Sequence, residues 1–211
     1  MKLGIAGLPL AGKKTLFAAL TGARGDNAVG SPQKDTRIAT ITVLDERIDF
    51  LENMYQPGKT IYAKIEYLLP SRIPGASDGK SDGEFWNQIR TCDGILHVVR
   101  NFDDPGTGPA MSEDDFQQIE DEMILSDLGV VEKRLERIAL DSKRGKKQGE
   151  AEIPLLKSCQ EMLEQGDALR NAPVIATDPL LKGFTFLSAN RCWWLSTMGM
   201  RMKHSLPGHK R

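Results

Sequence analysis

One stretch near the start, Gly7-Leu8-Pro9-Leu10-Ala11-Gly12-Lys13, limits what this chain can fold into more than any other feature. It fits the phosphate-loop spacing G-x-x-x-x-G-K, which serves its purpose only as a tight turn from a strand into a helix. Glycine lets backbone N–H groups curl around phosphate oxygens with no Cβ in the way. The lysine reaches the outer phosphates, and the helix N-terminus adds the positive end of its dipole. The flanks agree with that demand. Lys2 to Ala6 reads as a buried strand, and Thr15 to Leu20 as a helix with Leu16, Phe17 and Leu20 on its inner face. The candidate phosphate-binding residues are therefore Gly7, Leu8, Pro9, Leu10, Ala11, Gly12, Lys13, Lys14 and Thr15. The position after the lysine should carry the hydroxyl that holds Mg²⁺. Here it is Lys14, so Thr15, one place later, becomes the candidate metal ligand and Lys14 a candidate substitute cation. The competing reading is a glycine-rich turn that holds no ligand.

The chain then continues in an alternating pattern of short apolar runs and helical spacings, the signature of a βαβ architecture. Ile38 to Val43 alternates as a half-buried strand, and Asp45 is the expected N-cap of a helix carrying Ile48, Leu51 and Met54. Tyr62 to Leu69 is a further strand, Pro70 to Gly83 a loop, Phe85 to Cys92 a short helix, and Gly94 to Val99 a strand of the fully buried kind. Thr21–Lys34 and Pro70–Gly83 are long loops where nucleotide-sensing switches would sit, with Thr36 the nearest threonine to the first. After Asn101 the character changes. Ser112 and Asp115 resemble a capping box, and Phe116, Ile119, Met123, Val131, Leu135 and Ile138 follow at helical spacing. A basic break, Lys143 to Lys147, precedes a second helix with Leu156, Cys159 and Leu163, so two long helices form an antiparallel hairpin inserted between strands.

Composition narrows the class. Twenty-eight Lys and Arg balance 29 Asp and Glu for a net charge of −1, which argues against a strong duplex-DNA binder. No apolar run reaches the length of a membrane span, and Leu3 to Leu10 lacks the flanks of a signal peptide. Cys92, Cys159 and Cys192 form neither a disulfide framework nor a metal spacing, so the expectation is a cytoplasmic protein with reduced thiols and no membrane partner. His97 lies inside a buried strand pattern, with no second histidine or carboxylate at ligand spacing from it, and Cys92 reads as a buried thiol.

The opening MKLGIAGLPLAGKKTLFAALTG resembles that of the Obg-like/YchF group of P-loop NTPases. The likeness continues through Val43 to Arg47, Ala63 to Tyr67, Cys92 to Arg100, Leu125 to Leu128 and Val131 to Arg137, covering roughly residues 1 to 189. It implies a Ras-like domain that hydrolyses GTP or ATP, a helical-hairpin second domain, a C-terminal TGS domain, and an association with ribosomes and translation. Two departures stand out. Where the group has Asp-x-x-Gly after this strand, the chain reads Leu69-Pro70-Ser71-Arg72, and Lys14 replaces the Mg²⁺ hydroxyl. Both protein elements of the Mg²⁺ site are thus missing, which implies nucleotide binding with weak hydrolysis.

Phe184 to Ala189 reads as the approach to the strand that should end in a base-reading Asn. Asn190 to Arg211 then has no acidic residue but contains Trp193, Trp194, His204, His209 and alternating Met198, Met200 and Met202. Permitted codons for Arg191 to Met198, read one step out of frame, give Pro-Met-Leu-Val-Ala-Leu-Asn-Asn, an apolar strand followed by Asn. The expectation is a frame change that removes the base-reading strand and the TGS domain, with a natural basic tail touching RNA or membrane as the alternative.

The combined expectation is an α/β chain with a Ras-like, mostly parallel sheet. It consists of a P-loop domain over residues 1–110, a helical hairpin over 111–172, a return toward the sheet over 173–189 and an atypical tail over 190–211. The expected ligand is a purine nucleotide, GTP or ATP, with Mg²⁺ doubtful. The hairpin's basic tip is either a solvated turn or a contact to ribosomal RNA. From another class comes the alternative of an inactive ribosome- or protein-interaction module built on the hairpin.

Overall fold

The computed structural model describes residues 1–22, 36–71, 79–103, 108–145 and 149–197. Strands β1 (Lys2–Ala6), β2 (Arg37–Thr42), β3 (Lys64–Leu69), β4 (Gly94–Val99) and β5 (Arg191–Ser196) form one sheet in the order β2-β3-β1-β4-β5. β1 runs parallel to β3 and β4, and β4 parallel to β5, while only β2 is antiparallel to its neighbour β3. The mostly parallel sheet follows from buried apolar runs such as Gly94–Val99, where every residue except Leu96 is buried.

Helices α1 (Lys13–Thr21), α2 (Glu46–Tyr55) and α3 (Gly79–Ile89) belong to the sheet half, and α4 (Ser112–Lys143) and α5 (Ile153–Glu164) form the hairpin. Asp45 caps α2 as expected, its carboxylate accepting from the Arg47 amide. The apolar stripe of α2 is left uncovered, however. No residue of this helix is buried, and Phe50, Leu51, Met54 and Tyr55 are all exposed. A cap and i,i+3 spacing specify a helix locally but not that anything covers it.

The loop expected over Pro70–Gly83 ends early, because α3 begins at Gly79; residues 72–78 lie outside the described ones. Phe85, Trp86 and Ile89 are buried in the core between sheet and helices. Their burial sustains a helix through a Gly/Ser/Asp stretch whose propensity argues against it. The switch loop expected over Thr21–Lys34 falls mostly on residues outside the described set.

The hairpin is asymmetric. α4 has 32 residues against 12 in α5. Ile119 and Met123 enter the sheet core, and from Ile124 onward α4 packs Ile124, Val131 and Ile138 on Leu156, Cys159 and Leu163. Ser112 does not close a capping box; its hydroxyl donates to the Arg100 carbonyl at 3.0 Å, tying the end of β4 to the start of α4. The residue before the helix, Met111, supplies the carbonyl that receives the Asp115 amide. Of the basic break, Lys143 ends α4 and residues 146–148 lie outside the described ones.

A buried ion pair welds hairpin to sheet. Asp127 on α4 is fully buried, meets Arg90 at 2.7 Å, and accepts from the amides of Leu187 and Ser188 and the Ser188 hydroxyl. Arg90 follows α3 and also donates to the Thr185 carbonyl and the Ser126 hydroxyl. These bonds hold Phe184–Ala189 as turns, with Phe186 and Leu187 in the core, so the strand expected near 184–189 starts instead at Arg191. The residues as they stand supply that strand: Cys192, Trp193, Trp194 and Leu195 are all partly buried in β5. The two tryptophans are thus sheet residues. Residues 198–211, the remainder of the expected out-of-frame tail, lie outside the described set.

Candidate nucleotide-phosphate site

The β1–α1 turn lies at the carboxyl end of the central strand, where ligands of open α/β sheets bind. Two glycines make it possible. Gly7 has φ 145°, and a Cβ there would stand 2.3 Å from the Val98 carbonyl oxygen of β4. Gly12 has φ 91°, and its Cβ would meet Thr197 Cγ2 at 3.0 Å. Both are positions that an L side chain rarely adopts. Leu10, exposed at the crest, also takes a positive φ of 62°, a local strain of the kind found at ligand-binding loops.

The Ala11 amide closes an internal turn on the Leu8 carbonyl, and the Leu16 amide starts the helix on the Gly12 carbonyl. Among the described residues, no protein oxygen accepts from the amides of Gly12, Lys13, Lys14 or Thr15. Those four N–H groups, at the helix entry, are the donors a phosphate group would use. Beneath them Ala11 and Phe17 pack on Ile5, Leu69 and Val98, so the turn rests on core rather than hanging free.

Lys13 is buried, and its ammonium donates to the Gly7 carbonyl at 2.7 Å and the Leu8 carbonyl at 2.5 Å. Burial first, and then the neighbouring Lys14 charge, push its pKa down to about 8. A cation so desolvated, held by two neutral carbonyls, is poised to gain from an anion placed in the loop. Lys14 and Thr15 are exposed.

The same geometry tests Mg²⁺. The side chain where an aspartate would be needed, Leu69, is buried against Ile5, Phe17 and Val98, with buried Pro70 next. An aliphatic wall and an exposed lysine offer no oxygen to a hard cation. The residues present do not fit the Mg²⁺ site that the motif implies. Thr36 faces another helix, its hydroxyl donating to Gln88 of α3 at 2.8 Å.

Three residues escaped the sequence reading. Thr197 follows β5, bonds the Val99 carbonyl through its amide and hydroxyl, and packs on Gly12. It stands where the base-reading Asn was expected. Glu120 and Cys192 come together with His97, whose sequence neighbourhood offered no such partners. The signals were present as a buried carboxylate in α4's apolar face and an apolar strand after residue 190, but only strand pairing brings them together.

No known family profile matches the chain. Individual proteins do match. It is 34% identical over 177 residues to the ribosome-binding ATPase YchF of Escherichia coli O157:H7, covering 80% of this chain and 48% of that protein. The Bacillus subtilis protein of the same name gives 34% over 176 residues with the same shares, and that of Haemophilus ducreyi 30% over 207 residues, 93% of this chain and 56% of the relative. Among solved structures, the Schizosaccharomyces pombe YchF GTPase superposes with a TM-score of 0.69 at 26% identity, over 93% of this chain and 56% of that one. The chain thus spans about half the length of the relatives it matches. Across that half the likeness to the Obg-like/YchF group holds in sequence and in fold.

Proposed function

We propose that this chain binds a purine nucleoside triphosphate, GTP or ATP, through Gly7–Thr15, and that it serves translation at the ribosome with weak hydrolysis. One observation carries the reading: four amides at the entry of α1 that have no protein acceptor among the described residues, framed by Gly7 and Gly12 and overlooked by the buried Lys13 ammonium. Gly12, Lys13, Lys14 and Thr15 would donate to phosphate oxygens through their amides, and Lys13 would leave its two carbonyls for the outer phosphates. Thr15 and Lys14 are the remaining polar side chains at the entry. The ribosome enters because relatives bear the name of ribosome-binding ATPases, and the α4–α5 hairpin is the candidate contact.

Positioning by this turn survives without a metal, but charge neutralisation between the outer phosphates does not, so turnover falls well below binding. Leu69 and Lys14, standing where Mg²⁺ ligands are required, also favour a second reading: a chain that binds nucleotide weakly or not at all and acts only as an interaction module. Titrating fluorescent ATP and GTP analogues, with melting followed in parallel, separates the two. Saturable binding that raises the melting temperature is expected. An unmoved transition at millimolar nucleotide would leave only the interaction module.

A further inference from the structure

On the sheet face covered by α4, β4 and β5 run parallel with His97 opposite Trp194 and Ile95 opposite Cys192. Cys192 is therefore two residues before His97's partner, on the same face. α4 crosses there. Phe116 stacks on the His97 ring at 4.9 Å between centroids, and one turn later Glu120 reaches the same spot. A ring nitrogen of His97, the Cys192 sulfur and a Glu120 carboxylate oxygen lie within 4.8 Å of one another.

His97 is the anomaly. It is 1% exposed, and among the described residues neither ring nitrogen has a hydrogen-bond partner. A buried imidazole left without partners costs free energy that native structures usually avoid. Glu120, also buried, accepts from the Arg170 guanidinium through Oε2 at 2.6 Å and, more loosely, through Oε1 at 3.5 Å, and Oε1 also faces the Cys192 sulfur at 3.8 Å. Arg170 thus holds the carboxylate from behind, with its short bond on Oε2, while Oε1 is the oxygen turned toward the Cys192 sulfur, much as ligating carboxylates are held.

We propose that His97, Glu120 and Cys192 form a binding site for a divalent transition metal of the zinc class, which cross-links β4, β5 and the hairpin helix. The donor set is one nitrogen, one sulfur and one oxygen, the mixture that suits Zn²⁺ and excludes Mg²⁺ or Ca²⁺. Tetrahedral Zn²⁺ bonds of about 2.0–2.3 Å put neighbouring donor atoms about 3.2–3.7 Å apart, so the cluster need contract by no more than about 1.6 Å. On binding, the metal bonds the sulfur as the Cys192 thiol releases its proton to solvent; Glu120 stays charged and keeps Arg170. Three protein donors leave a fourth position for water. Because the three come from separate elements, binding would be coupled to docking of the hairpin. The site is distinct from the β1–α1 turn and does not depend on nucleotide.

The test uses the whole chain, freed of metal, with Co²⁺ as probe and Zn²⁺ as competitor. One equivalent of Co²⁺ should bring a thiolate-to-cobalt charge-transfer band, Zn²⁺ should abolish it, and Zn²⁺ should raise the melting temperature. Cys92→Ser and Cys159→Ser should keep the band, Cys192→Ser should lose it, and His97→Gln should weaken affinity at least about tenfold. A folded wild-type chain that binds no stoichiometric metal, or a band that survives Cys192→Ser, would overturn the site. Should the core variants fail to fold, alkylation of the wild-type thiols decides. Zn²⁺ should slow modification of Cys192, mapped by peptide mass, and an unchanged rate there overturns the proposal.

Discussion

β1 and β3 are adjacent parallel strands whose carboxyl ends face the same crevice, yet they end in opposite chemistries. β1 opens into Gly7–Gly12 and a buried lysine, beside amides that have no protein acceptor among the described residues; β3 closes on Leu69 and Pro70, packed into the wall beneath that very loop. In a nucleotide-hydrolysing site the first grips phosphates and the second steadies the metal between them. Here β1 keeps the glycine-framed turn, and the position where the metal support would stand is core. The two depend on different physics. A phosphate cradle is made by backbone, which only a change at the glycines can spoil, whereas a metal ligand is one side chain that a single substitution replaces.

The comparison breaks most violently at Gly7. Gly7→Val places a side chain against the Val98 carbonyl at a left-handed φ and should lower unfolding free energy by about 3 kcal/mol or more, read by urea denaturation. Leu69→Asp, which writes the missing carboxylate back into β3, should lower it by about 2–4 kcal/mol, because the group enters an apolar cluster without a partner. Millimolar Mg²⁺ should not recover that loss while Lys14 remains; recovery would show the metal support to be dormant rather than dismantled.

Lys13→Met separates grip from fold. Nucleotide affinity should drop about 10- to 100-fold, as for loss of a charge-assisted hydrogen bond, with the melting temperature unchanged or raised because a desolvated cation is removed. A fall in stability equal to the parent's binding loss would mean that the lysine serves the fold.

The pKa of Lys13 gives a pH test with a definite sign. Lowered from 10.5 to about 8, it makes the free loop lose its charge above pH 8 while the nucleotide-bound loop retains it. Affinity should therefore be flat below pH 8 and fall by at most about tenfold per unit above it, with proton uptake on binding. In the nucleotide-free chain the same shift acts the other way on stability. Between pH 8 and 10.5 the unfolded state holds the extra proton, so this group's contribution to stability rises with pH. Calorimetry in buffers of different ionisation enthalpy measures the proton count. The smallest effects belong to the metal side: Thr15→Ala, or exchange of Mg²⁺ for a chelator, should alter nucleotide affinity by less than about twofold, and strict Mg²⁺ dependence would reverse the reading of β3.

Much of this is legible in the sequence. β1, the turn and α1 are local: the glycine spacing, the buried strand before it and the helical face after it all depend on neighbours within twenty residues. Asp45 announced α2 for the same reason, since an N-cap acts over three residues. The sequence could not say that α2 would stand uncovered, because periodicity records an apolar face and not what meets it. Nor could it place β5. Phe184–Ala189 has a strand-like composition, but Asp127, sixty residues earlier, captures the Leu187 and Ser188 amides and turns the chain, so pairing with β4 begins at Arg191.

By itself, then, the sequence determined the phosphate-loop turn, the parallel-sheet class and the loss of the Mg²⁺ side chains, all consequences of residue identity acting over short range. Only the tertiary structure decided which face of each helix is buried, where the last strand starts, that Thr197 closes on Gly12, and that His97, Glu120 and Cys192 meet. Those outcomes rest on strand register and on buried charge pairs between distant segments. Their free energy arises only once the chain has folded, and no local pattern carries it.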